Sequence, residues 1–349
     1  MSQTLIPELA RARPDTPTLS VIVPVYNEAD AVHGFVSAMH PVLDRTGCDW
    51  QICFVNDGST DSTLPTLLKM AKGSNRISVI NLARNFGKES ALTAGIDIAE
   101  TDAVIIMDVD LQDPPSVISE FVKKWREGYD VIYGERISRK DDTFLKRFTA
   151  GWFYKVFNRI SRTRIPENVG DFRLIDRRVV EAVKQLPERN RFMKGLFAWV
   201  GFPSTSVAFE RAPRVAGQTK FRFRGLWNFA LDGLLSFSTL PLKAWTYIGA
   251  LLGVAAISYA GFIIARTVLF GIDVPGYSSL MVVVLTASAA QLLSLGIIGE
   301  YIARLTIETK RRPIYLVEGH YDRQRLLAQS EDAALSELEQ HKGNEETAA

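Results

Sequence analysis

Two aspartates, Asp108 and Asp110, close the apolar run that starts at Val104 in Val-Ile-Ile-Met-Asp-Val-Asp-Leu-Gln-Asp-Pro-Pro. Side chains alternate along extended backbone, so an i, i+2 pair presents both carboxylates on one face. Together they can hold a divalent cation. Hard oxygen ligands select Mg²⁺ or Mn²⁺ and leave positions for water and phosphate oxygens. A lone Asp-x-Asp also arises by accident and fits solvated turn residues equally well, so its meaning depends on what stands beside it.

What stands beside it suits a nucleoside. Val23-Pro24-Val25-Tyr26-Asn27-Glu28 offers an aromatic face and a carboxylate, and Val55-Asn56-Asp57-Gly58-Ser59-Thr60-Asp61 offers an acidic turn. An aromatic ring can stack on a base, and a carboxylate can accept hydrogen bonds from base N–H or ribose hydroxyls. The competing reading of Asp57 and Asp61 is Asx-turn and helix N-cap chemistry, and Asp61 stays with it. No Gly-x-Gly-x-x-Gly follows a strand-like run. Gly87-Lys88 lacks both the earlier glycine and the following Ser or Thr of a P-loop, so dinucleotide oxidoreductases and P-loop NTPases lose support.

The elements that must position these groups are legible as short apolar runs at 19–25, 51–56, 77–82, 103–107 and 130–133, separated by helical stretches. Such alternation predicts an α/β domain with a largely parallel sheet. Chemistry in these sheets gathers at the carboxyl ends of the strands. The polar clusters fall there: Tyr26 to Glu28, Asp57 to Ser59, Arg84 to Lys88, and Asp108 to Asp110. Four strand ends are expected to point into one crevice.

A chain of 349 residues suffices for one catalytic domain plus a smaller part, and a formal charge of +2 gives no sign of a nucleic-acid binder. Cys48 and Cys53 have no histidine in metal-finger spacing and are read as reduced, apolar side chains. Residues 1–18 carry prolines and charges without an apolar run, so no signal peptide is expected and the N-terminus stays in the cytosol.

Residues 244–265, 22 in number, and 274–299, 26 in number, are free of charge, long enough for each to span a bilayer. Their short link predicts an antiparallel hairpin. Arg211, Arg214, Lys220, Arg222, Arg224 and Lys243 precede it and Arg304, Lys310, Arg311 and Arg312 follow it, whereas the link holds Arg266 and Asp273. The positive-inside rule places both flanks in the cytoplasm. Residues 226–242 mix Trp227, Phe229, Leu231, Leu234, Leu235 and Phe237 with Asn228 and Asp232. That pattern fits a helix lying in the membrane interface or one packed on the catalytic domain.

The motifs Val-Pro-Val-Tyr-Asn-Glu, Asn-Asp-Gly-Ser-Thr-Asp, Ala-Arg-Asn-Phe-Gly-Lys-Glu-Ser-Ala-Leu-Thr-Ala-Gly and Met-Asp-Val-Asp-Leu-Gln-Asp-Pro-Pro resemble, in order and spacing, the family 2 inverting glycosyltransferases of GT-A fold. Within them, Glu-Asn-Val-Gly-Asp-Phe-Arg-Leu, Leu-Pro-Glu-Arg-Asn-Arg-Phe-Met-Lys-Gly and Trp-Thr-Tyr-Ile-Gly resemble the bactoprenol glucosyltransferases of O-antigen modification. The likeness runs from about residue 19 to 317. Processive synthases carry Gln-x-x-Arg-Trp, which is absent here.

The resemblance implies a GT-A domain at 19–225 after a flexible tail at 1–18. The interfacial helix at 226–242 follows, then a transmembrane hairpin at 243–302 with spans near 244–266 and 277–299, and a cytoplasmic tail at 303–349. It implies a multi-pass protein of the inner membrane with the catalytic domain and both termini in the cytoplasm. Pro24, Tyr26, Glu28, Asp57, Lys88 and Asp108 then hold the nucleotide-sugar, and Asp108, Asp110 and Gln112 surround Mg²⁺ or Mn²⁺. Asp110 and Asp171 are the implied catalytic residues, Asp171 acting either as a base or by orienting an arginine or the sugar. Arg136 and Arg147 fall where related dolichyl-phosphate mannose synthases place arginines near the acceptor phosphate.

The implied reaction moves one sugar, glucose from UDP-glucose, to undecaprenyl phosphate. GDP-mannose, UDP-GlcNAc and UDP-aminoarabinose remain as donors, and a noncatalytic scaffold for lipid-sugar translocation remains as another class. A homo-oligomer, a tetramer by family habit, is also implied.

Overall fold

The computed structural model describes residues 13–137, 169–189, 191–210, 240–271 and 276–328. Five strands lie where the apolar runs predict them: β1 Thr18–Val25, β2 Asp49–Asn56, β3 Ile77–Leu82, β4 Ala103–Ile106 and β5 Val131–Arg136. Three more, β6 Val169–Asp176, β7 Ser204–Phe209 and β8 Val317–Tyr321, complete one eight-stranded sheet of order β7-β5-β6-β4-β1-β2-β3-β8. β1 to β4 are mutually parallel, β5 and β7 run with them, and β6 and β8 run against them.

Helices cover both faces because successive strand residues point to opposite sides. Val21, Val23, Ile52 and Phe54 face α1 (Ala29–Asp44), α2 (Thr63–Gly73) and α4 (Val117–Arg126), where Phe35, Met39, Leu67, Phe121 and Trp125 are buried. Ile22, Val55 and Ile80 face α3 (Lys88–Ile98), α5 (Arg177–Lys184) and α6 (Met193–Trp199) through Leu92, Ile96, Val183 and Leu196. Each such side chain contributes about 1.5–3 kcal/mol on burial. Cys48 and Cys53 are free thiols, and burial pushes the Cys53 thiol up to about 11.

From β1 the chain moves outward to β2 and β3, then returns to place β4 on the other flank of β1. A crevice opens at such a reversal, outside the carboxyl ends of the strands. The turn at Tyr26 to Glu28 and the turn at Asp108 to Asp110 flank that reversal.

α7 (Leu240–Phe270) and α8 (Tyr277–Lys310) contain the two expected apolar segments. Trp245–Phe270 and Thr286–Lys310 are long and apolar enough to cross a membrane. Leu251, Ile257, Val268 and Leu292 stand exposed along them. Little of the expected interfacial helix at 226–242 falls within the described residues.

The stretch after α8 differs from the expected tail. Residues 317–321 return as β8 and pair antiparallel with β3, so the sheet is assembled from chain on both sides of the two long helices. Val-Glu-Gly-His-Tyr has no apolar run to announce a strand. Backbone pairing along the otherwise open edge of β3 supplies its place.

Candidate active site

Backbone geometry sets the turns before any side chain acts. Asn27 takes φ 53° and Gly58 takes φ 64°. The Asn27 side chain ties the turn after β1 to the turn after β2 by accepting from Thr60 N at 2.8 Å. At Gly58 a Cβ would stand 2.3 Å from the Arg84 carbonyl carbon, so only glycine lets the β2 turn meet the loop that follows β3. Across that contact Asp57 accepts from Phe86 N at 2.7 Å and Gly87 N at 2.9 Å. Asp61 accepts from Thr63 N at 3.0 Å, the local turn bond its spacing predicts.

Antiparallel pairing brings in the last acid. Ile106 stands opposite Arg173, so continuing the register by two residues sets Asp171 level with Asp108. Lys88, at the start of α3, closes the gap: its Nζ is 2.6 Å from Asp108 Oδ1 and 2.7 Å from Asp171 Oδ2. Lys194 Nζ, on α6, lies 3.6 Å from Asp171 Oδ1.

Burial works against the charge on Lys88, yet Asp108 and then Asp171 outweigh it and hold the ammonium above the ordinary lysine range. Burial likewise opposes charge on Asp171, but Lys88 and then Lys194 keep its carboxyl far below the usual range. Neighbouring Glu89 accepts from Met193 N at 3.2 Å. Burial, and next the charge of Asp171, push its carboxyl up to about 7.

Pro24 is half-buried at the end of β1, Tyr26 is exposed at the crevice rim, and Glu28 is fixed by Thr63 Oγ1, which accepts from its backbone N–H at 2.9 Å. Asp110 Oδ1 accepts from Gln112 N at 3.2 Å. Gln112 Oε1 is buried without a hydrogen-bond partner among the described residues. No three His, Cys, Asp or Glu side chains among those residues converge as a metal nest. Asp108, Asp110 and the Gln112 carbonyl instead fit a cation that takes one or two carboxylates from protein and its other oxygens from phosphate and water.

Arg136 Nη2 lies 3.8 Å from Asp113 Oδ1 and fills the space that a side chain on Gly170 would occupy, one residue from Asp171. Arg147 lies outside the described residues.

Lys194 lies in Leu-Pro-Glu-Arg-Asn-Arg-Phe-Met-Lys-Gly and Glu89 in Ala-Arg-Asn-Phe-Gly-Lys-Glu-Ser, and nothing in their spacing marks either as a site residue. An antiparallel register cannot be read from spacing, and it is what carries Asp171 and its lysines to the crevice.

The profile described as Glycosyl transferase family 2 matches residues 20–184. A glycosyltransferase of Synechocystis sp., itself uncharacterized, is 54% identical over 86% of this chain and 94% of its own length. The prophage bactoprenol glucosyl transferase homolog of Escherichia coli K12 is 46% identical over 86% of this chain and 98% of its own. Among solved structures, a mannosyltransferase from Pyrobaculum calidifontis in complex with GDP-Man and Mn²⁺ is similar at 16% identity, with a TM-score of 0.42 and 87% of each chain covered.

Proposed function

The chain belongs to glycosyl transferase family 2, and from that premise we propose that it transfers one glucosyl group from UDP-glucose to a polyprenyl phosphate at a membrane surface, with inversion. The observation that carries this reading is the near full-length match, at 46% identity, to a bactoprenol glucosyl transferase homolog. The paired charges at the strand ends supply groups suited to the chemistry.

In this reading Asp57, Glu28, Tyr26 and Pro24 hold the nucleoside, and Lys88 serves the diphosphate. Asp108, Asp110 and Gln112 would hold Mg²⁺ or Mn²⁺, which supplies Lewis-acid stabilisation of the departing diphosphate. Lys88 bridges Asp108 and Asp171, so its ammonium stands where anionic charge collects. An oxygen of the acceptor phosphate gives its electron pair to the anomeric carbon as the bond to the β-phosphate oxygen breaks, and that pair leaves with UDP. The α-linked donor yields a β-linked product.

The acceptor is a phosphate monoester with a second pKa near about 6, largely dianionic at neutral pH, and needs no strong base. Asp171, held ionised by two lysines, is a poor proton acceptor. These two facts favour orientation over general-base catalysis for Asp171. Arg136, beside Gly170, is the candidate ligand of the acceptor phosphate, and Arg147 is proposed with it on sequence alone.

The two long apolar helices support membrane association. Because β1 to β7 precede them and β8 follows them in one sheet, both flanks of the hairpin lie on the same side. The cationic flanks make that side the cytoplasm.

The test is transfer of radiolabelled glucose from UDP-glucose to undecaprenyl phosphate in detergent, with and without Mg²⁺ or Mn²⁺, beside Asp110→Ala. Labelled lipid that needs both metal and Asp110 is the expected result. Transfer from GDP-mannose, UDP-GlcNAc or UDP-aminoarabinose in place of UDP-glucose overturns the donor assignment, and silence with every donor overturns the catalytic reading.

A further inference from the structure

The ladder between β3 and β8 slips once: Asn81 faces Gly319 and Leu82 faces Val317, so Glu318 is skipped. Bulges of this kind re-aim a side chain. Glu318 Oε2 accepts from Asn81 Nδ2 at 2.7 Å, and Asn81 Oδ1 accepts from Asn56 Nδ2 at 2.7 Å. Both asparagines are buried, and Asn56 is the last residue of β2, directly before Asp57.

Two further ties run from the same segment. The Leu316 carbonyl accepts from Ala83 N at 3.0 Å, at the root of the loop whose Phe86 and Gly87 amides hold Asp57. Tyr315 Oη donates to Asp97 Oδ2 at 2.8 Å, on the helix that begins with Lys88.

We propose that Glu318 is a positioning residue for the donor's nucleotide: its carboxylate fixes Asn81 and Asn56, and through them the place of Asp57. This rests on the assignment of Asp57 to the nucleotide above, and extends the pocket's support to chain that follows the membrane hairpin. Removing Glu318 leaves the buried Asn81 amide without its acceptor. A buried donor so stranded turns to find another partner, and the asparagine pair turns with it.

The test uses full-length protein in detergent as wild type, Glu318→Ala and Glu318→Gln. It reads UDP affinity by calorimetry, UDP-glucose KM and kcat, and amide hydrogen exchange at Phe86 and Gly87. Glu318→Ala is expected to weaken UDP binding and raise KM by about threefold to tenfold, the range of one hydrogen bond, with kcat nearly unchanged and faster exchange at both amides. Glu318→Gln keeps an acceptor oxygen and is expected to match wild type in all of them. If wild type and Glu318→Ala bind UDP equally and exchange alike, the inference is overturned alone. A fall in kcat at constant KM overturns it as well. Wild type that does not bind UDP overturns the nucleotide assignment and the inference with it.

Discussion

Two clusters of ion pairs sit at opposite ends of the same sheet. At the carboxyl ends of the parallel strands, Lys88 joins Asp108 and Asp171 with side chains 24–35% exposed. At the other end, Arg13 pairs with Asp130 and Asp176, while Trp125 Nε1 donates to Asp176 and Arg178 grips Asp130. There Asp130 is 0% and Asp176 3% exposed. Arg13 also donates to the Trp125 and Tyr129 carbonyls. The chemistry is alike, and the difference is access. In the lower cluster Arg13 and both carboxylates are enclosed, with Arg178 closing over them from the surface, and these fixed pairs hold the chain together. The upper ones face a crevice and can exchange one partner for another, which is what a binding site requires.

Breaking the comparison from the upper side gives the largest effect. Asp110→Ala is expected to lower kcat/KM for glucosyl transfer by about 10³-fold, near 4 kcal/mol, with the thermal midpoint unmoved. Asp130→Ala should do the reverse. Removing the carboxylate that Arg13 and Arg178 share costs about 3 kcal/mol of stability, seen as a lowered thermal midpoint in detergent, while activity per folded molecule stays at the wild-type level. A matching loss of activity would erase the distinction between the clusters. Lys88→Ala is expected to cost about 10²-fold in kcat/KM, near 2.7 kcal/mol, with a small stability change because its partners are partly solvated.

Glu89 gives the smallest and most discriminating test. Burial, and next the charge of Asp171, push its carboxyl up to about 7 from an ordinary value of 4.5. The folded state therefore holds a proton that the unfolded state has lost between those values. Stability from this group is complete below about pH 4.5 and fades as pH rises through 7. Glu89→Gln mimics the protonated form at every pH. Relative to wild type it should gain about 2.5 kcal/mol between pH 5 and pH 8, measured as paired unfolding midpoints at the two values. A constant offset would show that Glu89 has no shifted titration.

The five strands that alternate with helices were legible because each is a short apolar run buried on both faces. Asp108, Asp110, Asp57 and Glu28 were legible because they stand where such runs end. β6 was not read as a strand, since Arg173 interrupts it. That guanidinium is buried, donates to the Gly170 carbonyl at 2.7 Å and lies over the Phe197 ring at 4.7 Å, so the charge is satisfied by partners far along the chain or by folded backbone. β7 alternates exposed with partly exposed residues and shows no buried stripe until Phe209. The lysine bridge was hidden for the same reason as β6: it depends on which strand lies beside which, a property of the assembled sheet.

The return of the chain into the sheet after α8 also limits motion. A domain hung from a bilayer by one flexible stalk sweeps a cone and presents its face in many directions. Here the six residues 311–316 between α8 and β8 can reach at most about 20 Å, so the edge strand stays near the helix end. With so short a strap leaving α8, the proposed membrane attachment would hold the domain as a hinge holds a door. For the proposed enzyme, whose acceptor would drift in the plane of the bilayer, that turns the meeting of catalyst and lipid from a search through volume into one along a surface.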